Sequence, residues 1–306
     1  MASSVQSEHW AALSLELAMA TESLSGSIVA VQSGHRLAAS GIHWRSRLIV
    51  TANHMIRRSD ELSITLPDHS SAPATLVGRD PGTDVALLKI EGVTALSTVQ
   101  TTSTAELKVG HLVVAVGRSH LGDLAASSGI VARLGGPWRT WRGGQIDQLV
   151  RPDVTLYPGQ AGSALMNARG QVLGMNTAAL ARLATITVPA ITVDRVLEEL
   201  LEHGHIRRPY LGLAMQTVSI PNDVRDRLKL ESATGLLVMQ VEADGPANRD
   251  GVMLGDVIIS IHGNAAGDVA DALAGLRTGD QAKLIIVRGG ERRELSVNVG
   301  DRPTQK

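Results

Sequence analysis

The chain has 306 residues, with 29 Lys and Arg against 30 Asp and Glu and a formal net charge of −1, so it lacks the basic excess of a nucleic-acid-binding surface. Hydrophobic residues make up 43%, enough for a core, which excludes a mostly disordered chain. With no cysteine, disulfides, thiolate metal sites and cysteine nucleophiles are excluded.

Residues 1–25 hold no charged start followed by an unbroken apolar run, so they do not read as a signal peptide. The expectation is a cytoplasmic protein, or a truncated form of a periplasmic or exported one. No apolar run is long enough to span a bilayer. Trp10, Leu13, Leu17, Met19 and Ala20 predict an amphipathic helix that caps the first domain, with a partner-binding arm as the alternative.

From residue 26 onward short β-like runs alternate with turn residues. Ser27–Gln32, Leu48–Thr51, Leu62–Leu66, Val85–Ile90, Leu112–Val116 and Val172–Asn176 predict an antiparallel barrel or sandwich. Trp138 and Trp141 lie between glycine pairs; they read as a hairpin covering the barrel, or as an exposed contact surface. Val193, Val196, Leu197, Leu200 and Leu201 then fall at helical spacing, with Thr192 as the predicted cap and Gly204 as the stop. The charged stretch from His203 to Arg208, closed by Pro209, marks a boundary. The resulting division is 1–25, a helical segment; 26–206, the first domain; and 207–302, a smaller second domain. The second predicts strands at Gly235–Val241, Val257–His262, Lys283–Arg288 and Glu294–Val299, and helices at Asn222–Leu228 and Asp268–Leu276.

Three segments of the first domain carry chemistry together. Ile49 to Met55 is an apolar strand ending in His54. Asp80 to Leu88 holds Asp84 at the opening of a strand, 30 residues after His54. Tyr157-Pro158-Gly159-Gln160-Ala161-Gly162-Ser163-Ala164-Leu165 is a glycine-rich turn. In this order they resemble the trypsin-like serine proteases of the HtrA/Deg family, whose patterns are T-x-x-H-V, D-x-x-x-D-[LV]-A-[VL]-L and N-x-G-N-S-G-G-A-L. The second domain resembles the PDZ domain that follows the protease in this family, through Arg208-Pro209-Tyr210-Leu211-Gly212-Leu213 and through Asp244-Gly245-Pro246-Ala247, Gly251 and Leu254-Gly255-Asp256-Val257-Ile258.

The resemblance implies a mainly β fold: a trypsin-like double β-barrel, then a smaller α+β PDZ domain. It implies an ATP-independent serine endopeptidase for unfolded or damaged proteins. A serine hydroxyl becomes a nucleophile when a neutral imidazole takes its proton and a carboxylate fixes that imidazole. The resemblance gives His54 and Asp84 these two roles, and the backbone N–H groups of Gly159 and Ala161 the oxyanion hole. The nucleophile's own position is Ala161, so the chain as it stands is expected not to cut peptide bonds. Ser163, two residues on, reads as a small residue in a tight turn. Two readings of Ala161 stand: a Ser→Ala replacement in an engineered enzyme, or a natural pseudoprotease serving as a peptide-binding, chaperone-like scaffold.

No cofactor is implied. No metal site is expected either, since the ten histidines form no H-E-x-x-H pattern. The expected partners are unfolded polypeptides and peptide C-termini, the latter held by Tyr210, Leu211, Gly212 and Leu213. Val269, Ala272 and Leu276 face them across the groove, and Leu273 is the residue assigned to the core. The primary substrate pocket, between Leu156–Gly159 and Thr185–Ala190, is expected to be apolar, and the family implies a homotrimer.

Overall fold

The computed structural model describes residues 2–34, 39–92, 96–119, 122–182, 184–273 and 275–302. The chain divides into two compact units, Met1–Ile206 and Arg207–Lys306.

In the first unit, β1 (Ile28–Ser33), β2 (Ala39–Arg45), β3 (Leu48–Ala52), β4 (Leu62–Thr65), β5 (Ser71–Asp80) and β6 (Val85–Ile90) close into an antiparallel barrel of order β1-β2-β3-β6-β5-β4. A second barrel has the order β11-β14-β13-β12-β7-β8. Its strands are β7 (Leu112–Arg118), β8 (Leu124–Gly135), β11 (Leu149–Pro152), β12 (Ala164–Asn167), β13 (Val172–Thr177) and β14 (Ile186–Pro189). A small hairpin, β9 (Trp138–Arg139) and β10 (Gln145–Ile146), stands apart from it.

Several of these strands read as continuous apolar runs because both of their faces are buried. Alternate residues point to opposite faces of a strand. In β3, Ile49 enters the first barrel and Val50 the cluster between the barrels. In β6, Ala86, Leu88 and Ile90 fill the barrel, while Val85 and Leu87 face the shared cluster. In β7, Val113 and Ala115 fill the second barrel, and Val114 and Val116 the shared cluster.

The helix α2 (Ala190–His203) lays Val193, Val196, Leu197 and Leu200 onto that cluster. Gly204, in the left-handed region at φ 76, ends it by donating its N–H to Leu200 O at 2.9 Å. Two details differ from expectation. The helix starts after Pro189, so Thr192 is an interior residue whose hydroxyl donates to Asp147 Oδ2 at 2.8 Å. Leu201, expected on the packed face, is exposed.

The helix α1 (Ala2–Ser23) rests on the same cluster through Leu17 and Ala20. Trp10 and Met19, expected on that face, are 71% and 63% exposed. Met19 follows Leu17 by two residues, which at 3.6 residues per turn carries it to the far side of the helix. Trp138 packs against the shared cluster, whereas Trp141 is exposed, with the Arg142 guanidinium 4.4 Å from its ring centre. The hairpin thus packs one tryptophan and exposes the other.

Arg118 ends β7 as a buried cation. Its guanidinium donates to Ile28 O at 2.5 Å, Gly122 O at 2.6 Å and Ser25 O at 2.7 Å. Burial pushes its pKa down from the usual arginine range.

The second unit is a sheet of order β16-β17-β18-β20-β21 beside a short pair. Its strands are β15 (Pro209–Tyr210), β16 (Leu213–Ser219), β17 (Thr234–Val241), β18 (Val257–Ile261), β19 (Asn264–Ala265), β20 (Gln281–Arg288), β21 (Glu291–Asn298) and β22 (Gly300–Asp301). Leu236, Val238, Ile258, Leu284, Ile286 and Val297 make its core. Its helices are α3 (Asn222–Leu228), α4 (Pro246–Arg249) and α5 (Val269–Ala272). The last is one turn long, shorter than the predicted Asp268–Leu276, and Gly275 at φ 85 lies in the left-handed region that ends helices. Among the described residues no helix is long and apolar enough to cross a membrane.

Candidate active site

The strands β3 and β6 run antiparallel with Ala52 opposite Val85, so the residue that follows one strand meets the residue that precedes the other. His54 sits on the short 3-10 turn Asn53–Met55 after β3, and Asp84 directly precedes β6. The His54 N–H donates to Asp84 Oδ1 at 2.8 Å, and the His54 Nδ1–H to Oδ2 at 2.7 Å. Asp84 takes φ 60, a left-handed conformation that aspartate adopts more readily than most residues. Asp80 shapes this corner by accepting the N–H groups of Gly82 and Thr83 at 2.9 and 3.1 Å.

Asp84 is 2% exposed while the His54 side chain is 31% exposed. The carboxylate is an acceptor only, so it fixes the proton on Nδ1 and leaves Nε2 as the free acceptor of a neutral ring. A third group completes the carboxylate's shell: the Thr177 hydroxyl, at the end of β13, donates to Asp84 Oδ2 at 2.5 Å.

The glycine-rich turn begins with Tyr157, Pro158, Gly159 and Gln160. The Gln160 N–H donates to Tyr157 O at 2.9 Å, and Gly159 in third place has φ 93. Proline second and a positive-φ glycine third are the residues of a type II turn. The Tyr157 N–H donates back to Gln160 Oε1 at 2.9 Å.

Ser40, on β2, ties this turn to the first barrel. Its N–H donates to Ala161 O and its hydroxyl to Gly159 O, both at 2.8 Å, and the hydroxyl accepts from Arg118 N–H at 2.9 Å. Gly162 must be glycine: φ is 84, and a Cβ there would stand 2.3 Å from Ser40 O and 2.9 Å from Ala52 N. The Gly162 N–H donates to Asn176 O at 2.9 Å, next to the threonine that holds Asp84. The turn is thus bonded to the same strand end as the His54–Asp84 pair. With both carbonyls of Gly159 and Ala161 occupied, their N–H groups have no protein acceptor among the described residues.

Ser163 is fully buried, and its hydroxyl accepts from Asn176 Nδ2 at 3.1 Å. Asn176 Oδ1 in turn accepts from the Thr187 hydroxyl at 2.8 Å. Ser163 therefore belongs to a closed polar network within the second barrel.

Residues 39–175 match the trypsin-like peptidase domain and residues 209–299 match the PDZ domain. A relative from Ectopseudomonas mendocina (strain ymp), named "Probable periplasmic serine endoprotease DegP-like", is 34% identical over 281 residues, 89% of this chain and 57% of the relative. A relative of the same name from Pseudomonas putida (strain GB-1) is 35% identical over 263 residues, covering 83% of this chain and 54% of its own. The chain belongs to the HtrA/Deg family. It spans 54–57% of the length of these curated relatives. The solved structure "HtrA-type protease AlgW with tripeptide" superposes with a TM-score of 0.69 at 26% identity, over 94% of this chain and 98% of that one.

In this HtrA/Deg chain Leu156 and Thr185 line a cavity of about 390 Å³. Its wall also carries Arg151, Asp153 and Arg182, and of the two segments expected to flank the primary substrate pocket it touches only these end residues, Leu156 and Thr185.

In the second unit, Tyr210 and Leu211 lead into Gly212, at φ 74, and Leu213 opens β16. The Leu211 and Gly212 carbonyls accept the N–H groups of Ala247 and Glu242, both at 2.9 Å. β16 is an edge strand, as strand addition requires. On and just beyond α5, Ala272 and Leu276, expected in the groove, are buried in the core, while Val269 and Leu273 pack at its margin. Leu273, assigned to the core, packs against it while partly buried.

Sequence reasoning did not find Thr177 or Ser40. The one available signal for Thr177 was a polar pair, Asn176-Thr177, closing an otherwise apolar strand. For Ser40 there was none, because its partners lie 78 and 119 residues away.

Proposed function

We propose that this chain is a nucleophile-less form of an HtrA-type serine endoprotease, an ATP-independent enzyme for unfolded or damaged proteins. In this reading residues 1–25 are a helical lead, 26–206 the protease domain with its linker helix, and 207–302 a PDZ domain that takes peptide C-termini. The chemistry needs no cofactor. His54 is the general base, Asp84 its orienting carboxylate, and Gly159 and Ala161 the oxyanion donors.

One observation supports the reading: His54 and Thr177 both hydrogen-bond Asp84, the far nitrogen of His54 stays open, and the glycine turn keeps two N–H groups uncommitted. In a serine-bearing enzyme, Nε2 takes the hydroxyl proton as the oxygen attacks a carbonyl. The imidazolium then returns that proton to the leaving amine. Only the attacking oxygen is lacking at Ala161.

The test is Ala161→Ser. Loss of such a nucleophile costs about 10⁶-fold in turnover, so the serine variant is expected to degrade casein and to react with serine-directed phosphonates. His54→Ala in that background removes the activity. A folded Ala161→Ser protein that stays inert replaces this reading by the scaffold one.

The scaffold reading has its own support. Gln160 and Ser163 depart from the family pattern, and both are built into local hydrogen bonds, Gln160 to the Tyr157 N–H and Ser163 to Asn176. We also propose a trimer, supported by the uncovered Trp10, Leu15 and Met19 of α1. Light scattering on the full chain and on a form starting at Ser25 tests it, and a monomer in both ends it.

A further inference from the structure

Asp84 keeps a left-handed backbone, φ 60, which a residue with a side chain holds only where its surroundings impose it. Part of that constraint is local to the corner Asp80-Pro81-Gly82-Thr83-Asp84. The Asp80 carboxylate accepts the Gly82 N–H at 2.9 Å, the Thr83 N–H at 3.1 Å and the Thr83 hydroxyl at 2.8 Å. Asp84 O accepts the Asn53 N–H at 2.9 Å. One further bond comes from outside the first barrel. Thr140, between β9 and β10, donates its hydroxyl to Gly82 O at 2.8 Å across 58 residues of sequence, and both residues are buried.

The contact is close as well as bonded. Thr140 and Gly144 close the hairpin on each other, the Thr140 N–H donating to Gly144 O at 2.8 Å and the Gly144 N–H to the Thr140 hydroxyl at 3.1 Å. A Cβ at Gly144 would stand 2.2 Å from Gly82 C and 2.4 Å from Gly82 O, so a side chain there would displace the corner. The base of the hairpin is fixed in turn. Ile146 is fully buried, and Trp138 packs on the cluster between the barrels. Asp147 accepts from the Thr192 hydroxyl at 2.8 Å and from Arg195 at 3.0 Å, and Arg195 also donates to Gln145 O at 2.7 Å. The hairpin is thus anchored on α2 at its base and bears on Gly82 nearer its tip.

We propose that Thr140 is a positioning residue for the His54–Asp84 pair, acting through Gly82. With its hydroxyl in place, Gly82 O is held, and the chain turns at Asp84 in the left-handed conformation. Both carboxylate oxygens then meet the donors of His54, its N–H and its Nδ1–H. Without that hydroxyl a buried carbonyl loses its donor. The corner relaxes, and the carboxylate moves off the imidazole. Thr140 bonds Gly82 and not His54, so its effect on the pair is one of placement alone, to which such chemistry is sensitive on the scale of an ångström. The inference rests on the reading of Asp84 as the carboxylate that orients His54. It does not rest on a serine at position 161.

The experiment follows the downfield proton resonance of the His54 Nδ1–H by NMR in the full chain, since it reports the bond to Asp84 directly. Thr140→Val removes the donor at nearly constant shape. Thr140→Ser keeps it, and Gly144→Ala keeps it while pushing on Gly82. Thr140→Val and Gly144→Ala are expected to shift the resonance upfield or lose it to solvent exchange, and Thr140→Ser to leave it in place. In the Ala161→Ser background Thr140→Val is expected to lower kcat about tenfold with KM unchanged, and Thr140→Ser to keep full turnover. An unmoved resonance in folded Thr140→Val overturns the proposal. So does a Thr140→Ser protein whose resonance moves as far as that of Thr140→Val. If Thr140→Val does not fold, an unmoved resonance in Gly144→Ala overturns it instead. A moved resonance beside an inert Ala161→Ser protein keeps this inference and removes the enzyme reading. An active Ala161→Ser protein with an unmoved resonance does the reverse.

Discussion

Asp84 in the first unit and Asp256 in the second are both buried almost completely, and the two sit in different company. Asp84 is 2% exposed and faces His54; Asp256 is 1% exposed and faces Arg288. Asp256 makes a two-pronged pair with the Arg288 guanidinium, both contacts at 2.7 Å, and accepts the Met253 N–H at 2.8 Å. Burial works against its charge, yet Arg288 and the Met253 N–H outweigh it and hold the carboxyl below the usual range. Asp84 is satisfied as fully, by an N–H, an imidazole and a hydroxyl. A partner with a permanent charge makes the pair a strut. An imidazole partner whose far nitrogen is accessible leaves the pair with a group that can accept a hydrogen bond from outside. Burial and hydrogen bonding do not separate the two aspartates; the chemistry of the partner does.

The sharpest way to break this comparison is to neutralise each aspartate in the Ala161→Ser background. Asp84→Asn is expected to cut turnover by about 10⁴-fold, because the amide favours the wrong imidazole tautomer, with little change in melting temperature. Asp256→Asn is expected to leave turnover per folded protease domain unchanged. It should destabilise the second unit by about 3 kcal/mol, the cost of a buried ion stripped of its partner. Denaturant unfolding followed by signals of each unit reads both effects, and a swap of the two outcomes refutes the distinction.

Acid provides a second test. A carboxyl held low in the fold adds stability above its unfolded pKa of about 3.9, and that stability fades as pH falls toward the folded value. The second unit is therefore expected to lose stability below about pH 4. Asp256→Asn should flatten that dependence; an unchanged acid limb argues that other carboxylates govern it. The smallest effect belongs to Ser163→Ala. It removes one buried hydrogen bond, to Asn176, worth about 1 kcal/mol, and should leave most of the activity of the serine variant. A complete loss would give Ser163 a chemical role.

The strands of both units were legible in the sequence as apolar runs of strand length between turn residues; that pattern left barrel and sandwich open, and the pair of barrels was implied by the family resemblance. His54, Asp84 and the glycine turn stood out because each marks the end of such a run. Their supports did not stand out. Thr177 meets Asp84 across 93 residues, and Asp256 meets Arg288 across 32; local pattern carries no trace of either. The errors share one origin. The periodicities of α1, α2 and α5 were read as single faces, but which residues of a periodic stretch are covered depends on where the neighbouring surface stops. Trp10 and Leu201 both lie past that edge.

The strands with two buried faces leave little room for sequence drift. Along Val85–Ile90 five of six positions are buried, with Lys89 the exception; along Glu291–Asn298 one of eight is. A saturation-mutagenesis map should show the first as an almost unbroken barcode of intolerance and the second as largely permissive. Asp84 sits at the head of the first strand. Its placement is inherited from a segment in which neither face can be altered without disturbing a barrel or the cluster behind it, so the geometry around His54 is set by the packing of the barrels and not by what stands at residue 161.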